Sequence, residues 1–206
     1  MSETFHRIYL SDGSCSVAID QKKPIKDYFV DLLYSEEKEQ LYTLSREERK
    51  IEFLGVRQLR NECNLLSPIH YTDKRKPFLS NLSQTFISIS HSKNYCALGV
   101  SNQDLGIDIE EVSPRIERIS PRFLNDDEKQ FIGEHSIVDL TKVWTMKEAM
   151  FKLNNRTGIE FKTELIIEEK FGDIYSGKML TNNGWKQVKL ECFQVKELVI
   201  SACIYA

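Results

Sequence analysis

The sequence predicts an α+β fold made mainly of antiparallel sheet, and three observations support it. A helix signature followed by short apolar strand patterns occurs twice, once before about residue 103 and once after it. The chain closes on four successive strand patterns joined by turn residues, as in a meander of hairpins. Strands and helices are mixed rather than strictly alternating, which argues against a doubly wound sheet. The doubled pattern divides the chain into 1–103 and 104–206, and no Gly/Ser or Pro run separates the halves.

Taken in order, Phe5–Leu10 and Cys15–Ile19 read as strands around the turn residues Ser-Asp-Gly-Ser. Residues 24–44 are expected to be helical in pieces. Ser45 and Glu48 have capping-box spacing, so a helix is predicted from Ser45 to about Asn61, before Ser67-Pro68. Ile69–Thr72, Thr85–Ser90, Tyr95–Val100 and Leu105–Glu110 follow as strands. Asn125 and Glu128 repeat the capping signature ahead of a short helix to Ile132, and Asp139–Leu153 is the most regular helix. Leu165–Phe171, Ile174–Leu180, Trp185–Val195 and Leu198–Tyr205 complete the strands, with Thr-Asn-Asn-Gly at 181–184 as a hairpin turn.

At 206 residues, 41% hydrophobic and 29% charged, the composition is that of a folded globular protein. A net charge of -3 gives no bulk attraction to nucleic acid. No run of 18 apolar residues spans a membrane, and the first residues lack the apolar stretch of a signal peptide. Five cysteines, an odd number without a Cys-x-x-Cys, argue against a disulfide framework and for a reduced, cytoplasmic protein.

Three constellations carry chemistry. In Gly106-Ile107-Asp108-Ile109-Glu110, strand alternation places Asp108 and Glu110 on one face. Carboxylates that close repel one another unless a proton or cation lies between them, and oxygen ligands suit Mg²⁺ or Mn²⁺. In the helix over 139–153, Val143, Met146, Met150 and Leu153 form the apolar stripe, while Trp144, Glu148 and Lys152 form another row. An aromatic residue in that polar row suggests a face lining a cleft. In the helix after Ser45, Arg46, Arg49, Lys50, Arg57 and Arg60 fall within roughly 100° of arc, a basic stripe suited to phosphate. No P-loop, dinucleotide fingerprint or Gly-x-Ser-x-Gly elbow is present. The residues support phosphoryl or pyrophosphate chemistry. A metal-dependent phosphohydrolase would want more His or Asp ligands than His6, His70, His91 and His135 readily provide, and a non-catalytic nucleotide-binding module is the other alternative.

These motifs, in this order, resemble the 4′-phosphopantetheinyl transferases of the Sfp type. The resemblance runs from Lys76-Pro77 through Phe86-Ile87-Ser88-Ile89-Ser90-His91-Ser92 and Leu105–Glu110 to Val143–Lys152, with Arg75 where many relatives carry Gly. It implies a monomer of two similar α/β subdomains related by a pseudo-twofold, with coenzyme A between them. It also implies Mg²⁺-dependent transfer of phosphopantetheine from coenzyme A to a serine of an acyl or peptidyl carrier protein, the holo-carrier synthase reaction, releasing adenosine 3′,5′-bisphosphate. By that resemblance Asp108, Glu110 and Glu148 hold Mg²⁺, for which Mn²⁺ can substitute. Lys152 contacts the pyrophosphate, and Glu148 or a metal-bound water takes the serine proton. Lys76, Ser90 and His91 contact coenzyme A, and Arg49, Lys50 and Arg57 are candidates for its 3′-phosphate.

Overall fold

The computed structural model describes residues 6–133 and 136–206. Phe5, at the start of the first predicted strand, and His135 lie outside these residues. The chain divides into two compact units, Met1–Gln103 and Asp104–Ala206.

The first unit holds strands β1 (His6–Tyr9) and β2 (Cys15–Gln21), helices α1 (Ser35–Thr43) and α2 (Glu47–Glu62), and strands β3 (Ile69–Tyr71), β4 (Pro77–Leu79), β5 (Phe86–His91) and β6 (Tyr95–Ser101). Its main sheet has the order β1-β2-β6-β5 and is antiparallel, and β3 and β4 form a separate hairpin. Val56 and Leu59 of α2 pack with Ala18, Ile87, Cys96 and Leu98 of the sheet. Burying each such aliphatic side chain contributes about 1.5–3 kcal/mol. In the turn between β3 and β4, the Arg75 amide donates to the Thr72 carbonyl at 2.8 Å and Arg75 has φ 64°. That left-handed backbone favours glycine, so Arg75 holds it at a cost in strain.

The second unit holds β7 (Leu105–Glu111), α3 (Arg115–Ile119), α4 (Ile137–Asn154), α5 (Phe161–Glu164), β8 (Leu165–Phe171), β9 (Ile174–Thr181), β10 (Gly184–Val195) and β11 (Leu198–Tyr205). The sheet order is β7-β11-β10-β9-β8, antiparallel throughout. The turn at 181–184 joins β9 and β10, with Gly184 at φ 93°. Val143, Met146, Met150 and Leu153 of α4 are buried against Leu165, Met179, Leu190 and Cys203 of the sheet. All five cysteines are free and buried.

Two helix starts differ from expectation. Helix α2 begins at Glu47 after an extended Arg46 with no side-chain cap, so Ser45 and Glu48 do not form a capping box. Asn125 and Glu128 do exchange both hydrogen bonds, at 3.1 and 2.8 Å, but over a 3₁₀ turn, Asp127–Phe131, rather than an α-helix. Helix α4 is capped instead by Ser136, whose hydroxyl accepts from the Asp139 amide at 3.1 Å.

Each unit contains a fully buried glutamate wired in the same way. Glu37 accepts from the backbone amides of Tyr34 at 3.2 Å and Ile69 at 3.2 Å, and pairs with Arg60 of α2 at 2.6 Å. Glu128 accepts from the amides of Asn125 at 3.1 Å and Ile167 at 3.0 Å, and pairs with Lys147 of α4 at 2.7 Å. Both glutamates are 0% exposed, so desolvation is severe and only this full set of donors makes the charge tolerable.

Candidate active site

The acidic face is assembled by the close packing of α4 on β7 and β11. Gly106 permits that approach: a Cβ there would lie 1.9 Å from the Ala149 carbonyl oxygen and 2.7 Å from the Leu153 amide nitrogen. Any side chain would push α4 off the strand, so the glycine opening the motif sets the distance between the strand carboxylates and the helix. Asp108, opposite Ser201 in the β7–β11 ladder, is buried and accepts from Lys152 Nζ at 2.8 Å. The Trp144 indole N–H donates to Glu110 Oε1 at 3.3 Å.

The electrostatics of this face favour a cation. Burial pushes Glu148 up to about 7, the Asp108 and Glu110 charges add to the rise, and Lys152 opposes it. Burial and the Asp108 charge also raise Glu110, against the Trp144 hydrogen bond and the charges of Lys152 and Arg115. Among the described residues, no three His, Cys, Asp or Glu side chains are drawn together tightly enough to hold a metal ion as arranged. The donor set nevertheless fits one. Three carboxylates supply hard oxygens, and two of them are held above their ordinary range by burial first and by neighbouring carboxylates second, a cost that a divalent ion would offset.

The basic stripe of α2 divides in two. Arg57 and Arg60 are buried and bound to Glu37, and the Arg57 guanidinium lies 3.6 Å over the Phe53 ring. Arg57 is thus withdrawn from the surface where a 3′-phosphate would be met, which corrects its place in the exposed stripe. Arg49 stays at the surface and pairs with Glu52 at 2.9 Å. Lys22 and His91 reach the same carboxylate, at 3.0 and 3.3 Å. Sequence periodicity could not show this cluster, because Lys22 follows β2 and His91 ends β5; the Lys22-Lys23 pair just after β2 is its one visible sign. Lys50 is half-buried on α2, Ser90 is buried on β5, and the Lys76 amide closes the β3–β4 turn on Thr72 Oγ1 at 3.1 Å.

A family model for the 4′-phosphopantetheinyl transferase superfamily matches residues 104–203, the stretch that contains the whole acidic face. This half of the chain is similar to the 4′-phosphopantetheinyl transferase superfamily. The protein is also 32% identical over 90 residues to the 4′-phosphopantetheinyl transferase psf-1 of Bacillus pumilus, an alignment covering 42% of this chain and 38% of that relative. No helix among the described residues is long and apolar enough to cross a membrane.

Proposed function

We propose that the protein is an Sfp-type transferase that moves 4′-phosphopantetheine from coenzyme A to a serine of an acyl or peptidyl carrier protein, releasing adenosine 3′,5′-bisphosphate. The observation that carries the reading is the convergence of Asp108, Glu110, Glu148 and Lys152 on one face of the superfamily half. Asp108, Glu110 and Glu148 would hold Mg²⁺ or Mn²⁺. When bound, the ion supplies charge neutralisation and orientation at the pyrophosphate oxygens. Lys152 is placed to offset charge growing on the bridging oxygen as the phosphoanhydride breaks. Glu148, or a metal-bound water, would accept the serine proton. The chain supplies no nucleophile of its own, because the attacking hydroxyl belongs to the carrier.

In the first unit, the cations of Arg49 and Lys22 and the imidazole of His91 surround the single carboxylate of Glu52. That surplus supports Arg49, with Lys50, as contacts for the 3′-phosphate, and His91, Ser90 and Lys76 as further coenzyme A contacts. The protein would act as a cytoplasmic monomer.

Incubation with coenzyme A, Mg²⁺ and an apo carrier tests the reading by mass spectrometry. The expected result is a carrier heavier by one phosphopantetheine, with Mn²⁺ substituting. Phosphate release without that gain would indicate a hydrolase, and binding alone a nucleotide-binding module. Asp108→Ala should lower kcat/KM at least roughly a hundredfold with the thermal midpoint little changed. Full activity of Asp108→Ala in EDTA would refute the mechanism.

A further inference from the structure

Lys147 is a buried charge that the acidic face does not account for. Its side chain is fully buried, and a buried ammonium group must place each of its three donors on an acceptor. Besides Glu128 at 2.7 Å, it donates to the carbonyl oxygens of Phe123 at 2.6 Å and Phe161 at 2.9 Å. Those two residues come from a 3₁₀ turn's end and from a four-residue helix, segments too short to hold their own positions. Their rings both pack on Trp144, Phe123 tilted at 5.1 Å between centroids and Phe161 stacked at 5.5 Å. Trp144 in turn donates its indole N–H to Glu110.

We propose that Lys147 is a positioning residue: by holding the Phe123 and Phe161 backbones it sets the aromatic stack that orients Trp144 and, through the indole N–H, the Glu110 carboxylate. The meaning of Glu110 as a metal ligand rests on the transferase reading; the clamp itself rests on the contacts alone. A methionine at 147 would fill similar volume but could hold neither carbonyl. The stack would then loosen and Glu110 would lose its fixed direction, as happens when an outer partner of a metal ligand is removed.

The test uses a Trp185→Phe background, which leaves Trp144 as the single tryptophan. Lys147→Met with Glu128→Gln removes both buried charges together and so avoids stranding one of them. The emission of Trp144 should shift to the red, Mn²⁺ affinity read by its quenching should fall roughly tenfold, and kcat should fall with the coenzyme A KM unchanged. A folded double variant with the parent's emission and Mn²⁺ affinity would overturn the proposal. If the double variant does not fold, Phe161→Leu decides in its place: the same red shift is expected, and an unchanged emission refutes the clamp. The emission needs neither substrate nor metal. A parent that neither binds Mn²⁺ nor transfers would therefore count against the transferase reading, while the emission still judges the clamp.

Discussion

Helices α2 and α4 each carry a carboxylate into a field of other charges, and the two fields have opposite sign. Burial alone would raise Glu52 on α2, but the hydrogen bond from Lys22 and the charges of His91, Lys22 and Arg49 outweigh it and hold the carboxyl below its usual range. Glu148 on α4 is raised by burial and by two neighbouring acids, with Lys152 as the opposing cation. One unit therefore presents surplus positive charge and the other surplus negative charge, in a chain whose net charge is only -3. The contrast teaches that local fields can differ in sign within one chain whatever its overall balance, and it is these fields that the proposed anion and divalent-cation sites would use.

Beneath those opposite faces lies one shared device, the buried glutamate, and substitution there should give the largest effects. Glu37→Gln strands two buried arginines, which cannot lose their protons, and should cost about 3–5 kcal/mol in urea unfolding. Glu128→Gln strands a lysine, which can become neutral, and should cost less, about 1–3 kcal/mol. Equal losses would break the distinction between the two nodes.

The helix–sheet contacts rank next. Gly106→Ala drives a Cβ into the α4 backbone and should cost about 2–3 kcal/mol as well as activity. Gly55→Ala on α2 meets the Cys96 sulfur at 2.8 Å, a side-chain atom that can move, and should cost about 1 kcal/mol. A larger loss at Gly55 would show that the first unit is the more rigidly packed.

The two arginines of α2 separate binding from stability. Arg49→Ala should weaken coenzyme A by about 1.5–3 kcal/mol, and dephospho-coenzyme A by less, as titration calorimetry would show. Arg57→Ala should lower the unfolding midpoint, because it removes a buried partner of Glu37. Selective loss of coenzyme A affinity in a stable Arg57→Ala protein would restore Arg57 to the phosphate site.

The smallest effect concerns acid. The Glu52 carboxyl has a lower pKa folded than unfolded, so at low pH the unfolded state binds more protons. Its stabilisation is present above the ordinary glutamate pKa and is lost as pH falls through the lower, folded value. Glu52→Gln should flatten the stability profile over that acid range and leave it parallel to the parent's near neutrality.

Local pattern was enough to read much of this molecule. Strand alternation placed Asp108 and Glu110 on one face, and helical spacing placed Glu148 and Lys152 on another, because both periods are properties of the backbone itself. The final four strands were legible for the same reason. Helix spacing also grouped Arg49 with Arg57, yet it carries no information on which side of a helix the rest of the chain will cover. Only the tertiary structure decided that Arg57 and Arg60 turn inward to Glu37 while Arg49 stays with Glu52. It also decided that Lys147, one residue from Glu148, is buried. A charge is buried when partners distant in sequence arrive to satisfy it, and Glu128, Phe123 and Phe161 reach Lys147 only through the fold.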